Sequence, residues 1–288
     1  MYFKAQEIID YCEKESKSIG QLVIEDAAKD EEEQKEILNE LKEMLKVMEG
    51  SATETLENPV LSKTGMIDGF AKKMQDYKKS GDTLAGDFLI DAMSMAFSTL
   101  ETSANMGKIV ASPTAGSSGI LPAAFISIKR KYNLSMDELL MGMATSIGIG
   151  QIIGYYANFA GAEGGCQAET GSASAMAAAG IVQMMGGTPE QSFHAASICL
   201  VNILGLVCDP IAGLVEYPCT FRNANGVVNA MISSDMALAG VKSVVPFEEV
   251  CVALQEVGER MPPSLRETGV GGLAGTPTGQ RIKKEVFG

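Results

Sequence analysis

The chain has 288 residues, a hydrophobic content of 46% and a formal net charge of −13, from 23 Lys and Arg against 36 Asp and Glu. That length can bury a substantial core as one large domain or two small ones. The acidity excludes a nucleic-acid backbone or an anionic membrane as partner, since both need clustered Lys and Arg, and it favours a small metabolite.

Residues 1–50 carry fourteen Asp and Glu against seven Lys and Arg, a solvated face holding −7 of the −13. Met1 to Glu15 has charges at Lys4, Glu7, Asp10 and Glu13 and no apolar h-region. A cytoplasmic location and reduced cysteines are therefore expected. Ile37, Leu41, Leu45 and Met48 form the stripe of an outer amphipathic helix with Glu31, Glu32, Glu36, Lys42 and Lys46 on its other faces. Turn residues cluster from Asn58 to Gly69, marking a loop or soft boundary after a peripheral N-terminal helical layer, residues 1–60.

Apolar three- and four-residue spacing then predicts helices over 84–106, 118–132, 135–157, 168–185, 188–205, 223–240 and 246–260. Ser135 before Met136 and Thr188 before Pro189 read as N-caps. Leu139 to Ala162 runs 24 residues without a charge, yet its glycines, Gln151 and Asn158 dilute it below what a bilayer asks for, so a buried helix is expected. Gly171 to Gly180 places Gly, Ala and Ser where Leu is usual, which lets helix backbones approach closely. Gly269 to Gly279 reads as an irregular tail. Strands are scarce. The expected class is all-α, a compact multi-helix domain with Gly/Ala-rich buried helices, taken as a single catalytic domain over 1–288.

Chemistry concentrates in two places. The first is a hydroxyl-rich loop, Asn105 to Gly119, which opens a helix near Ser118. Amides at that helix start, with Ser112, Thr114, Ser117, Ser118 and Lys108, make either an anion site or a structural cap. Lys108 also raises pyridoxal phosphate, but the common folds for that cofactor need a parallel sheet.

The second is Cys166, Cys208 and Cys219. They lie within Asn133 to Arg222, 90 residues holding no Lys or Arg before the last. A thiolate in such an interior needs a positive partner, and a metal is the candidate. Intervals of 41 and 10 residues match neither a ferredoxin nor a zinc finger. Each thiol adjoins a Gly or Pro break, and three thiolates suit a [4Fe–4S] cluster with one iron open or a three-cysteine zinc site; ordinary buried cysteines are the alternative. Cys12, Cys199 and Cys251 sit mid-helix among apolar neighbours and read as core. His194, the only histidine, reads as packed or capping before catalytic. Glu163, Glu169 and Asp209 flank the thiols and read as support for them before acid–base groups.

The stretches Ala111 to Gly119, Gly164 to Ser174, Leu206 to Glu216 and Arg266 to Gly272 resemble the α chain of the iron–sulfur L-serine dehydratases, and the likeness runs from about Met1 to Gly288. The resemblance implies a [4Fe–4S] cluster on Cys166, Cys208 and Cys219, its fourth iron acting as Lewis acid toward the L-serine hydroxyl. A base would remove the Cα proton while Ser112, Thr114, Ser117 and Ser118 hold the carboxylate, giving pyruvate and ammonia. Lys108 is a candidate base. The family's β module, with a Ser/His motif and often an ACT-like regulatory fold, is not read in this sequence. A separate β subunit is therefore expected as partner, in an oligomer of αβ units, and could itself supply the base. Some single-chain relatives end in a cysteine that approaches the cluster, whereas this sequence closes with Lys284 to Gly288, so another group is expected to guard the fourth iron. Rivals are a related lyase acting on L-threonine or L-cysteine, and a non-catalytic helical subunit with a structural zinc site made by the same three cysteines.

Overall fold

A computed structural model describes residues 4–288; Met1 to Phe3, which open the segment read as leaderless, lie outside the described residues. Among the described residues the chain is all-α, with isolated bridges but no strand. Three helices lead: α1 (Ala5–Glu15), α2 (Ile19–Ala27) and α3 (Glu31–Thr53). The stripe on α3 is as read, with Leu41, Leu45 and Met48 buried. Next come α4 (Phe70–Lys79), α5 (Gly86–Ala104), α6 (Ile120–Tyr132), α7 (Met136–Tyr156) and the short α8 (Gly161–Gly164). A π-turn, Gln167–Gly171, leads into α9 (Ser172–Met184), followed by α10 (Pro189–Val201), α11 (Cys219–Leu238), α12 (Phe247–Arg260) and α13 (Pro277–Phe287).

The expected spans correspond to α5 to α7 and α9 to α12, with ends shifted by a few residues. Ser135 and Thr188 each close a capping box, with Glu138 and Gln191 returning a bond to the cap N–H. The tail is not irregular throughout. Thr276 caps α13, accepting from Gly279 N, with Pro277 at its first position, so a Thr-Pro-Thr-Gly run that looks like a loop by composition is a helix start.

Helix α9 lies at the centre, packed by α6, α7, α10 and α11. Its small side chains make that possible. A Cβ on Gly180 would stand 2.5 Å from Ser146 Oγ and 2.8 Å from Gly142 O of α7, so the two backbones meet nearly bare. Three interior hydroxyls are satisfied locally or across helices: Ser174 Oγ donates to Thr170 O at 2.7 Å, Ser146 Oγ to Met176 O at 2.6 Å and Ser234 Oγ to Ala178 O at 3.0 Å. Helix α7 passes a length and composition test for crossing a bilayer, yet two-thirds of its apolar window is buried against protein, chiefly α9 and α2.

Candidate active site

Three segments bring the thiols together at one end of α9 and α11. After α8 the chain reverses at Gly165, whose φ of +76° suits glycine, and Cys166 leads into the π-turn. Gln167 anchors this turn: its backbone N donates to Leu206 O at 2.9 Å, its Oε1 accepts from Gly205 N at 2.8 Å, and its Nε2 donates to Leu254 O at 2.9 Å. Cys208 follows in a single parallel bridge with Arg266, where Cys208 N donates to Leu265 O at 2.8 Å and Cys208 O accepts from Glu267 N at 2.7 Å. Cys219 is the first residue of α11. All three thiols are buried.

The hydroxyl-rich loop closes over this group. Thr114 Oγ1 donates to Glu169 Oε1 at 2.7 Å, and Glu169 Oε2 lies 3.9 Å from Cys208 Sγ. Asn223, one turn into α11, stitches the loop to the third thiol segment: Nδ2 donates to Gly116 O at 2.7 Å and Cys219 O at 2.8 Å, and Oδ1 accepts from Gly119 N at 2.9 Å. Ser117 Oγ stands 3.2 Å from Thr114 Oγ1, whereas Ser118 Oγ turns inward to Ala115 O at 2.8 Å. Ser112 is buried and its hydroxyl reaches Val110 O at 3.5 Å.

A second loop approaches from the N-terminal side. Leu61 bridges Asp68, and Thr64 Oγ1 at the tip donates to Glu216 Oε2 at 2.6 Å, in the segment between Cys208 and Cys219.

Electrostatically the site is dominated by buried acids. Burial pushes the Cys208 thiol up, and the charges of Cys166, Glu169, Glu267 and Cys219 push it further. Burial likewise raises Cys219, with Cys166 and Glu169 adding to it, and raises Glu169 itself, opposed by the Thr114 bond. Arg222 is the cation among them. Its Nη2 donates to Asp209 Oδ1 at 2.5 Å, and Asp209 Oδ2 accepts from Leu273 N at 2.7 Å. Glycine is required at Gly272, where φ is +57° and a Cβ would collide with that carboxylate.

With this arrangement in view, likeness to known proteins decides the family. A family model described as serine dehydratase alpha chain matches residues 14–274. The chain belongs to that family. As a serine dehydratase alpha-chain member it is 58% identical over 284 residues to "L-serine dehydratase, alpha chain" of Peptoniphilus asaccharolyticus, covering 98% of this chain and 97% of that protein. It is 46% identical over 289 residues to "Probable L-serine dehydratase, alpha chain" of Bacillus subtilis (strain 168), covering 100% and 96%. Against "L-serine dehydratase" of Helicobacter pylori (strain ATCC 700392 / 26695), identity is 33% over 292 residues, covering 96% of this chain but 62% of that protein.

Within this serine dehydratase alpha-chain fold, Cys166, Cys208, Cys219, Thr114 and Ser117 come together, with Ser112 and Ser118 in the same loop. Lys108 does not join them: it is exposed and shares a surface pocket with Asn39, Glu40, Glu43 and Met44 of α3. His194 is also elsewhere, its Nδ1 accepting from Ser243 N at 3.2 Å and its Nε2 3.6 Å from Glu190. Cys12, Cys199 and Cys251 are buried inside α1, α10 and α12. Glu163 is exposed. Sequence reasoning gave no role to Arg222 or Asn223. Arg222 carried a signal, as the first cation after 89 residues without Lys or Arg.

Proposed function

We propose that this chain is the catalytic α chain of an iron–sulfur L-serine ammonia-lyase. The observation that carries this is the gathering of three buried thiols from three segments beside a hydroxyl-rich loop. The names of the relatives support L-serine as substrate. The donor set fits a [4Fe–4S] cluster: three sulfurs, and burial that disfavours their ionised forms until a positive centre offsets it. Among the described residues no three His, Cys, Asp or Glu side chains converge closely enough to hold a single ion. A tetrahedral zinc site would need its sulfurs about 3.8 Å apart, given Zn–S bonds of about 2.3 Å, whereas a cluster takes one thiolate on each of three irons.

Cys166, Cys208 and Cys219 would hold the cluster. When bound, it supplies a Lewis acid for the leaving hydroxyl. The residues of this chain bind and orient. Thr114 and Ser117 offer hydroxyls to the substrate, Asn223 fixes their loop against α11, and burial keeps bulk water from the thiols. In the reaction the Cα proton is lost and the Cβ–O bond breaks, releasing water and leaving aminoacrylate, which tautomerises and hydrolyses to pyruvate and ammonia. The proton goes to a base on a separate β subunit, in keeping with the exposed position of Lys108 and the remote position of His194. The alpha-chain names of the first two relatives, and the greater length of the third, support such a partner.

The test is anaerobic iron and acid-labile sulfide analysis beside a Cys208→Ala control. About four of each per chain, lost in the variant, is the expected result. Zinc without iron or sulfide would instead make this a structural zinc site on the three cysteines, and serine turnover by the α chain alone would remove the need for the β subunit.

A further inference from the structure

We propose that Arg222 is the anchor for the substrate's α-carboxylate, so that the site selects amino acids with a free carboxylate; this rests on the serine dehydratase reading above. The guanidinium rises from the first turn of α11, three residues past Cys219, and its side chain is 12% exposed. Its direction is fixed. Nη2 is committed to Asp209 Oδ1, and Asp209 is held in turn by Leu273 N. Nη1 is different: it is buried with no oxygen or nitrogen partner, and the neighbouring acceptor of the guanidinium besides Asp209 is the Cys166 sulfur.

An arginine donor left open inside a site points to an acceptor that arrives with a ligand. The surroundings say what charge that ligand carries. Arg222 lies near enough to Cys166, Glu169 and Cys219 for its charge to favour their ionised forms. Glu169 and Asp209 are carboxyls, so an incoming carboxylate finds its positive partner at an arginine, and Arg222 is the one that rises from the thiol segment opening α11. Arg266, the other arginine beside Cys208, directs Nη1 outward to Glu163 O at 3.3 Å. Nη1 of Arg222, near Cys166, thus offers a group for the carboxylate beside the thiols that would hold the Lewis acid for the hydroxyl, matching a substrate that carries both.

The experiment uses the anaerobically loaded α chain with its β partner, unmodified and as Arg222→Lys and Arg222→Gln. Iron content is measured first. Binding of L-alanine, which has the amino-acid frame but no leaving group, is then compared with L-alaninamide by calorimetry. The unmodified protein should prefer the free carboxylate by about 30-fold or more, the scale of losing one partner of a buried charge pair. Arg222→Gln should abolish that preference and Arg222→Lys should keep part of it, both at full iron content. An undiminished preference in Arg222→Gln would overturn the proposal. So would iron loss in both variants, which would make Arg222 a holder of the thiol centre. No iron in the unmodified protein would instead sink the underlying function, and the anchor with it.

Discussion

Thr114 and Glu169, 55 positions apart in sequence, are joined by a 2.7 Å hydrogen bond that ties the hydroxyl loop to the turn carrying Cys166. Glu169 is buried, and burial raises its pKa against the pull of this bond. Thr114→Val keeps the shape and removes the donor, leaving a buried carboxyl oxygen short of a partner at a cost of about 1–3 kcal/mol. The expected result is a fall in turnover of about tenfold with iron content kept, and recovery in Thr114→Ser. Unchanged kinetics in the valine variant would show that the loop is only a cap.

Asn223 makes three hydrogen bonds from a fully buried position, to Gly116, Gly119 and Cys219. Asn223→Ala strands the Gly116 carbonyl and the Gly119 N–H, while Cys219 O keeps its helical partner. Destabilisation of about 2–4 kcal/mol is expected from the lost bonds and unsatisfied groups, read as a lower urea midpoint. Asn223→Asp keeps the acceptor for Gly119 N but not the donors, so it should also destabilise. A midpoint equal to that of the unmodified chain in either variant would contradict this account of how the loop is held.

Lys108 separates the partner-supplied base from one within this chain. It is exposed on a pocket wall shared with Glu43 and Met44 of α3. Lys108→Ala in the αβ complex should leave kcat/KM for L-serine within about twofold, since a lost general base typically costs 100-fold or more, on the order of 10²–10⁴. A loss of that larger size would put the base back in this chain.

Much of this architecture is legible in the chain because its signals are local. Ser135 with Glu138, and Thr188 with Pro189 and Gln191, announce helix starts within four residues. The Gly and Ala run from Gly171 to Gly180 announces a helix that others press against. The pairings that build the candidate site are not local: Thr64 with Glu216, Asp209 with Leu273 and Gly116 with Asn223. No periodicity encodes which polar side chain meets which backbone or side-chain group across separations of 64 to 152 positions. Arg222 was visible as the end of an uncharged stretch, but only its bond to Asp209 and its open Nη1 give it a task.

The crossing of α7 and α9 predicts opposite outcomes for one substitution at two glycines. Gly180→Ala would put a Cβ 2.5 Å from Ser146 Oγ and 2.8 Å from Gly142 O, and backbone cannot yield as a side chain can. Overpacking of about 1–3 kcal/mol outweighs the helix-propensity gain of about 1 kcal/mol. Gly50 lies in α3 with nothing within 4 Å of its added Cβ. Gly50→Ala should therefore stabilise by about 0.5–1 kcal/mol. Thermal or urea unfolding measures both, and stabilisation by Gly180→Ala would refute the close crossing.

Glu101 provides a pH dependence independent of the thiols. It is fully buried on α5; Oε1 accepts from Ala71 N at 3.0 Å at the start of α4, and the Thr55 hydroxyl and Phe70 backbone lie beside the carboxyl and oppose the effect of burial. Burial raises the carboxyl above its ordinary pKa. A group whose pKa is higher folded than unfolded contributes stability that is fully present below the unfolded pKa and is lost as pH rises through the folded pKa. Glu101→Gln retains an acceptor for Ala71, adds an N–H for Thr55 and removes the ionisation. The variant should therefore be the more stable protein near neutral pH, and its advantage should shrink as pH falls to below about 4, where the glutamic acid becomes protonated in both states. Urea midpoints across that range measure the difference. A gap independent of pH would mean that Glu101 titrates alike folded and unfolded, and that its role at the α4 terminus does not depend on its charge.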